Sequence, residues 1–299
     1  MSEPERRLVL PDDARGRLDS LLARLLPEVS RRRLKAAFKA GAVRQGGRRA
    51  AASDPARPGA EVIVAGLGGT PPAGLELELV GEAEGLLVIE KPAGIPSAPS
   101  ATGGDPSVAE AMLARYPALE GVGDLPGAPG LCHRLDRETS GLLLFCTDAG
   151  LFPGIRAAFE RREVEKLYLA VVQGEPPVEG GCELPLGRRK GRARRVEVDL
   201  GDEGRELERS WPAQTTFRRL EQRGARALLE VRITTGVTHQ IRAHLAHLGF
   251  PVVGDPLYGD AGEAPRLGLH AWRLALTHPR TGERLEWESP HPEALRALL

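Results

Sequence analysis

The chain has 299 residues, more than a typical single domain, which favours one large domain with a smaller companion. Its composition, 41% hydrophobic and 27% charged, is typical of a soluble globular protein and excludes a mostly disordered chain. No apolar stretch is long enough to span a bilayer, and charges interrupt the N-terminal MSEPERRLVL where a signal peptide needs an apolar run. We therefore expect a cytoplasmic protein that has no membrane partner.

The formal net charge is zero, but the charge is unevenly distributed. Residues 1–66 hold 14 Lys and Arg against 8 Asp and Glu, whereas the rest of the chain holds 27 against 33. Neutralisation of phosphates usually dominates the affinity of proteins for nucleic acids. The basic N-terminal segment therefore indicates a phosphate-bearing partner, although the net charge of the whole chain is zero.

Two short amphipathic helices are predicted near the N-terminus. The apolar face of the first is a leucine series at helical spacing, Leu18, Leu21, Leu22, Leu25 and Leu26, and it ends at Pro27. The second begins after Ser30, a favourable N-cap, and ends at Gly41, where a left-handed residue is needed. Its apolar stripe is Leu34, Ala37 and Phe38. Basic residues occupy another sector, free to meet phosphates: Arg31, Arg32, Lys35 and Lys39.

A short β segment follows these helices, with a turn at Gly46–Gly47 and a strand at residues 61–64. A lone basic helix is most often only a solvated face. Here the order of two helices, a basic stripe and a hairpin, with the phrases RLDSLL and SRRRLKAAFKAGAV, resembles the S4 RNA-binding domain. The resemblance implies an RNA-binding domain at residues 1–66. The glycine- and proline-rich residues 67–75 are expected to form a linker.

Beyond residue 75, short apolar runs alternate irregularly with a few helices, which is typical of an α+β domain. The runs most like strands are 85–90, 141–146 and 167–172. They lack the glycine fingerprint and the regular helical crossovers of a doubly wound nucleotide-binding sheet. We therefore expect no nucleotide cofactor.

The phrase HRLDRETSG, residues 133–141, runs directly into the apolar strand 141–146. Its side chains therefore lie on a loop with a rigid support, a common position for functional residues. Taken alone, such a cluster is more often a set of weak surface ion pairs. Serine hydrolysis is not indicated, because Ser140 lacks a Gly-x-Ser-x-Gly context.

A second cluster, TGVTHQIRAHLAHLG at residues 235–249, predicts a helix that begins after Thr238 and ends at Gly249. Its apolar face is Ile241, Leu245 and Leu248. A zinc site is not expected, because the histidines lack the HExxH glutamate and the odd number of cysteines contains no CxxC pair. The same count argues against a disulfide framework, and a metal-dependent hydrolase is the least favoured alternative. The histidines of this cluster are His239, His244 and His247, and the three cysteines of the chain are Cys132, Cys146 and Cys182.

Together the two clusters resemble the RluA family of pseudouridine synthases. The resemblance extends from about residue 76 to the C-terminus and includes LVIEKPAG at 87–94, KLY at 166–168, PAQT at 212–215, LHA at 269–271 and THP at 277–279. The HRLDxxTSG phrase is among the most specific signatures of that family. The resemblance implies an α+β catalytic domain at residues 76–299, with a mixed, largely antiparallel sheet, that isomerises uridine in RNA.

The resemblance also implies roles for single residues. Asp136 matches the catalytic aspartate, which attacks the uridine ring or its ribose C1′ so that the base detaches, turns and rejoins through carbon. Arg242 matches the arginine that pairs with this aspartate, and Tyr168 matches the aromatic that packs on the target base. Arg134 resembles the residue that holds the duplex open, and the adjacent His133 is a further candidate for RNA contact.

Elementary chemistry agrees with these roles. An aspartate with an ordinary pKa of about 3.9 is an anion near neutral pH, and a neighbouring guanidinium offsets the cost of burying it. Extracting a base from its stack costs a few kcal/mol, and stacking on an aromatic returns about 1–3 kcal/mol. Exchange of an N-glycosidic for a C-glycosidic bond involves no net redox change. We therefore expect neither a cofactor nor a metal.

A basic run at residues 188–195 is expected to form a flexible loop that reaches the RNA backbone, through Arg188, Arg189, Lys190, Arg192, Arg194 and Arg195. We expect a monomer that acts on structured RNA. The S4-like module favours large-subunit ribosomal RNA over transfer RNA, by analogy with the family. Two alternatives are a synthase directed to transfer RNA and a non-catalytic RNA-binding or ribosome-assembly factor of the same fold.

Overall fold

The computed structural model describes residues 6–26, 29, 31–65, 75–99, 106–125, 127–189, 195–201, 207–260, 262, 264–290 and 293–299. They form two compact units, one within Met1–Glu76 and Ala98–Leu131 and the other within Leu77–Ser97 and Cys132–Leu299. Several residues named above lie outside the described ones, namely Pro27, Ser30, Lys190, Arg192 and Arg194. The predicted domain limits of 1–66, 67–75 and 76–299 stay predictions.

The first unit contains two helices packed with a sheet that has four antiparallel strands among the described residues. Its elements are β1 (Arg6–Val9), α1 (Leu18–Leu25), α2 (Arg31–Ala40), β2 (Val43–Gln45), β3 (Arg48–Arg49) and β4 (Glu61–Val64), in the sheet order β1-β4-β2-β3. The two predicted helices are confirmed, and their apolar faces share one core that includes Leu18, Leu22 and Leu34. The predicted turn is also confirmed, because Gly46 and Gly47 both have positive φ, which glycine tolerates best.

The same unit includes a helix from the later segment, α3 (Val108–Arg115), followed by a 3-10 turn at Pro117–Leu119. The backbone N–H of Glu110 donates to Ser107 Oγ (3.3 Å), and the N–H of Ser107 donates to the Glu110 carboxylate (2.8 Å). This reciprocal capping box fixes where the helix begins, and the SVAE phrase in the sequence is its signature.

The second unit is built on one large sheet, which has nine strands among the described residues, in the order β5-β6-β7-β15-β8-β14-β13-β9, with β16 paired to β15. Every pairing in it is antiparallel except that of β7 with β15, so the predicted mixed, largely antiparallel α+β fold is confirmed. A separate sheet has the order β11-β10-β12. The elements are β5 (Glu78–Ala83), β6 (Leu86–Lys91), β7 (Ser140–Cys146), α4 (Phe152–Glu160), β8 (Glu165–Gln173), β9 (Glu179–Cys182), β10 (Leu186–Arg189), β11 (Val196–Val198), β12 (Leu207–Trp211), β13 (Thr215–Arg223), β14 (Arg226–Ile233), α5 (Gln240–His247), β15 (Leu269–Thr277), β16 (Arg284–Glu288) and α6 (Glu293–Arg296).

The three predicted strands of this unit correspond to β6, β7 and β8. The three cysteines are buried free thiols. One difference concerns the basic run, because Arg188 and Arg189 belong to strand β10 and not to a flexible loop. Leu186 of this stretch is buried, and the strand pairs with β11 on one side and β12 on the other. Among the described helices, none combines the length and the apolar character needed to cross a membrane.

The parallel junction of β7 with β15 explains a glycine of the HRLDRETSG phrase. Gly141 lies opposite Ala271 and has a φ of +112°, a conformation that other residues rarely adopt. A Cβ atom at position 141 would collide with the backbone of Ala271. Glycine at this position therefore lets the two strands pair directly after the loop that carries Asp136.

Helix α5 begins one residue later than the sequence predicts. Its N-cap is His239, in the left-handed region at φ 56° and ψ 20°, and not Thr238. The side chain of Gln240 holds the segment before the helix: its Oε1 accepts from the N–H of Val237 (3.1 Å) and from Thr235 Oγ1 (2.8 Å). The chain thus turns sharply through His239 before the helix starts.

Candidate active site

Asp136 lies in the loop that leads into β7, and its side chain is 23% exposed. Ser97 holds the preceding residue at both polar backbone atoms, since the N–H of Leu135 donates to Ser97 Oγ (3.0 Å) and that hydroxyl donates to the Leu135 carbonyl (2.8 Å). The N–H of Thr139 donates to the Asp136 carbonyl (3.2 Å). The carboxylate therefore projects from a loop whose backbone is fixed on both sides.

Lys91, at the end of β6, ties the same loop to the turn that follows this strand. Its buried ammonium group donates to the carbonyls of Pro92 (2.7 Å), Ile95 (2.6 Å) and Arg137 (2.9 Å). Burial lowers the pKa of Lys91 to about 7, while nearby carboxylates act in the opposite direction. Three carbonyl acceptors match the three N–H groups of an ammonium. Lys91 therefore fixes the residue that directly follows Asp136.

Arg242 extends from α5 toward Asp136, and its side chain is only 4% exposed. Its Nη1 lies 3.4 Å from Asp136 Oδ2, which brings the two residues together as the sequence predicts. The two-pronged face of the guanidinium, however, pairs with Asp255, through Nε and Nη2, each at 2.7 Å. The fork of the guanidinium therefore binds a second carboxylate, while Nη1 alone approaches Asp136.

Asp255 is therefore a site residue that the sequence reasoning missed. It is fully buried, and its Oδ1 also accepts from the N–H groups of Leu257 (2.9 Å) and Tyr258 (3.2 Å). Burial pushes the pKa of Asp255 upward, but its hydrogen bonds to Arg242 bring that pKa below the ordinary value. The same ion pair outweighs burial at Arg242, whose pKa is raised. An acidic residue inside the apolar phrase FPVVGDPLYG was the available signal.

Tyr168 lies on β8, is buried, and is electrostatically coupled to Asp136. Burial raises the pKa of its phenol, and the negative charge of Asp136 raises it further. The phenol therefore stays neutral near pH 7. This environment suits an aromatic surface for a nucleobase better than a proton acceptor.

A second group approaches Asp136 from the start of α5. His239 Nε2 lies 3.9 Å from Asp136 Oδ2, and the His239 side chain is 15% exposed. Its other ring nitrogen, Nδ1, lies 3.2 Å from the hydroxyl of Tyr258. That hydroxyl donates to the Val196 carbonyl and accepts from the Val196 N–H, each at 3.0 Å. In the sequence, His239 was considered only as one of three histidines in a possible zinc site, and its position beside Asp136 was not predicted.

The other two histidines of this helix have different environments. His244 is fully buried, with Nδ1 2.8 Å from Thr215 Oγ1 and Nε2 3.0 Å from the Leu184 carbonyl. His247 is exposed at the end of the helix. The three rings therefore do not converge on a common point.

His133 is packed in the structure and does not extend as a cation. Its ring stacks on Phe159 with centroids 5.1 Å apart, and its Nε2 accepts from the N–H of Leu144 (3.1 Å). Burial lowers the pKa of His133 to about 3, and the charges of Lys166 and Arg156 act in the same direction. A neutral ring supports the loop, whereas the adjacent Arg134 is exposed.

The other predicted RNA contacts are distributed over both units. Lys35 and Lys39 are exposed on α2, while the side chains of Arg31 and Arg32 are not described. Arg189 is half-buried on β10. Nearby on the small sheet, the guanidinium carbons of Arg188 and Arg209 lie 6.0 Å and 5.4 Å from the ring centroid of Trp211. This cation–π cluster joins distant residues and was not predicted.

Comparison with known proteins identifies the family. Residues 85–247 match the family model for RNA pseudouridylate synthase, which is more than half of the chain. A protein of Chloroflexus aurantiacus, named as an uncharacterized RNA pseudouridine synthase, is 38% identical over 99% of this chain and 94% of its own length. The ribosomal large subunit pseudouridine synthase D of Xanthomonas campestris pv. campestris is 36% identical, over 98% and 91% respectively.

A solved structure agrees with these matches. Human RNA pseudouridylate synthase domain containing 1 superposes with a TM-score of 0.60 at 27% sequence identity, covering 73% of this chain and 84% of its own. The chain therefore belongs to the RluA-type family of RNA pseudouridine synthases. Its reaction is the isomerisation of uridine to pseudouridine in RNA.

Proposed function

We propose that Asp136 is the nucleophile of this synthase and that its substrate is large-subunit ribosomal RNA. The observation that carries the first part is the 3.4 Å approach of Arg242 Nη1 to Asp136 Oδ2. A partly exposed carboxylate beside a buried guanidinium can meet an extruded base as an anion, without a base to activate it.

Arg242 acts on Asp136 through Nη1, because its other two nitrogens, Nε and Nη2, donate to Asp255. Asp255 is a positioning residue in this proposal. It holds the guanidinium in one orientation and offsets the cost of burying it, so that Nη1 is aimed at the nucleophile. Because Nη1 is already held in place, it need not reorient as negative charge leaves the Asp136 carboxylate during attack.

Tyr168 supplies the surface on which the uracil packs once it leaves the RNA stack. Its buried, neutral ring supports this role, since stacking needs an aromatic face and not a charge. Exposed Arg134, two residues before the nucleophile, then contacts the RNA at the site of extrusion.

The RNA backbone is contacted by basic residues of both units in this proposal. Residues 1–66 are an S4-like module in this proposal, supported by helices α1 and α2 and by the exposed Lys35 and Lys39. In the second unit, Arg189 and its basic neighbours on the small sheet contribute. Relatives named for the ribosomal large subunit support ribosomal RNA as the substrate. In this proposal the enzyme acts as a monomer in the cytoplasm.

Complementation of a gene-deletion strain tests this function. Wild type, Asp136→Asn and Glu138→Gln are expressed in the deletion strain, and pseudouridine is mapped in its ribosomal and transfer RNA. Glu138→Gln is the matched control, because it removes one exposed carboxylate from the same loop. We expect wild type and the control to restore large-subunit sites and Asp136→Asn to restore none.

Restoration of sites in transfer RNA alone would reject the ribosomal substrate and leave the nucleophile in place. Restoration of sites by Asp136→Asn would reject the nucleophile. A strain whose pseudouridine is unchanged by deletion, but whose ribosomes assemble poorly, would favour a ribosome-assembly role.

A further inference from the structure

The backbone at His239 lies in the left-handed region, which is uncommon for residues other than glycine. Among the described residues other than glycine, only Arg162 and His239 have positive φ, at 61° and 56°. A histidine in this region is strained relative to the ordinary helical or extended backbone, and such strain concentrates at functional sites. Here the left-handed turn directs the imidazole toward Asp136.

The hydrogen bonds around Tyr258 determine which nitrogen of His239 carries the proton. The Tyr258 hydroxyl donates its one hydrogen to the Val196 carbonyl, and it accepts the Val196 N–H on one lone pair. Its remaining lone pair can only accept, so the contact of 3.2 Å requires an N–H on His239 Nδ1. In the neutral ring Nε2 then has a free lone pair, and this is the atom that faces Asp136.

His239 Nε2 and Asp136 Oδ2 are therefore two proton acceptors separated by 3.9 Å, which is too long for a hydrogen bond. A substrate atom attacked by Asp136 would lie about 3–3.5 Å from the carboxylate before reaction. Whether that atom is the ribose C1′ or ring carbon C6, uracil C5 is bonded to it in the product. The C5 proton must therefore be removed close to Asp136.

The other described groups coupled to this site are poor proton acceptors. Arg242 is a cation, and Asp255 is held by its two-pronged ion pair. The Lys91 ammonium group donates to three backbone carbonyls. Burial raises the pKa of Tyr168, and it raises that of Tyr258 to about 12, so both phenols stay protonated. Burial lowers the pKa of His239, while the charge of Asp136 opposes this shift.

We propose that His239 is the base that removes the C5 proton after the new C–C bond has formed. The C5–H bond breaks, its proton moves to Nε2, and its electron pair forms the C5–C6 double bond. When Asp136 has attacked C1′, its bond to C1′ breaks as the C5–C1′ bond forms, and the resulting C6–N1 double-bond pair then ends on N1, which takes up one proton. When Asp136 has attacked C6, the new C5–C6 double bond expels the Asp136 carboxylate from C6, and N1 has already taken up its proton on leaving C1′. Neither route needs an oxidant or a co-reactant. This role rests on the proposed attack by Asp136.

Isotopic substitution at C5 tests this role directly. The substrate is total RNA from gene-deletion cells grown with uracil carrying hydrogen or deuterium at C5, which contains the natural target whatever its RNA class. Purified full-length wild type, His239→Gln and His247→Gln are compared in single-turnover pseudouridine formation. His247→Gln is the matched control, because this exposed histidine lies on the same helix.

We expect His239→Gln to slow the reaction by about 10²–10⁴-fold, the usual contribution of a general base, and to enlarge the C5 isotope effect relative to wild type. His247→Gln should match wild type in both. A His239→Gln rate within tenfold of wild type, or a slow rate with no increase in the isotope effect, would overturn the proposal.

Because His239→Gln keeps the strained backbone, His239→Gly provides a second test. Glycine adopts positive φ without strain, so the variant should unfold at the wild-type temperature and still be slow. Added free imidazole should restore part of its rate if only the base is missing, and a lack of rescue in the folded variant would count against the proposal. Retained activity of Asp136→Asn would instead reject Asp136 as the nucleophile. The C5 isotope effect reports on the base and not on the nucleophile, so the two failures are distinguishable.

Discussion

Replacement of Asp255 by asparagine removes the charge with which Arg242 is paired. The two side chains are 0% and 4% exposed and are joined by two hydrogen bonds of 2.7 Å. Loss of one partner from such a pair leaves an uncompensated buried charge, which typically costs about 3–5 kcal/mol. At about 2–4 °C per kcal/mol for a unit of this size, the melting temperature should fall by about 6–20 °C.

The same substitution should also slow catalysis. Without Asp255, the Arg242 guanidinium is free to turn toward Asp136, and its Nη1 contact loses the fixed orientation that the second carboxylate provides. We expect the single-turnover rate to fall while RNA affinity changes little, because Asp255 is buried and does not face RNA. Asp260→Asn, an exposed aspartate of the same segment, should change stability by less than about 0.5 kcal/mol.

A double-mutant cycle with Arg242→Met identifies the cause. Removing both charges should recover most of the lost stability, because no buried charge is left unpaired. Activity should not recover, since the contact to Asp136 is gone. Asp255→Asn melting at the wild-type temperature, or a double variant as unstable as Asp255→Asn alone, would refute this reasoning.

Three further predictions concern the same site. Gly141→Ala should lower the melting temperature markedly, because its Cβ meets the Ala271 backbone at a φ of +112°, whereas Gly236→Ala, which has open space, should not; thermal unfolding compares them. Tyr168→Phe should stay within a few-fold of the wild-type kcat/KM, since the phenol is not a base, and Tyr168→Ala should lose about 5- to 150-fold, the value of one stacking contact. If neutral His239 is the base, kcat/KM should fall only below about pH 6.5, because its folded pKa lies below that ordinary value. Burial lowers this pKa most, the charges of Asp136, Arg242 and Asp255 act on it as well, and Tyr258 contacts the ring. A rate that falls already above pH 7 would contradict the prediction.

Local signals in the sequence predicted much of the fold. The leucine spacing of α1, the Gly46–Gly47 turn and the apolar strand that follows HRLDRETSG each depend on neighbouring residues, and each is confirmed. The parallel pairing of β7 with β15 was not predictable in this way. It joins Ser140 to His270 across 130 residues, and no short pattern encodes such a pairing.

The sequence predicted which residues belong to the site, but not which of them are hydrogen-bonded to one another. Asp136 and Arg242 were identified by family resemblance, and they do lie together. The partner of the guanidinium fork was missed, because Asp255 is far from Asp136 in sequence and carries no motif of its own. The left-handed turn at His239 was missed for a related reason, since tertiary contacts of the helix and not local propensity impose it.

The most direct test of the central claim is single-turnover pseudouridine formation by purified Asp136→Asn on total RNA from gene-deletion cells, with RNA affinity measured in parallel. If the Asp136 carboxylate is the nucleophile, formation should be undetectable while affinity stays near that of wild type, because asparagine preserves the shape of the site. Pseudouridine formed at the wild-type rate by this variant would contradict the claim.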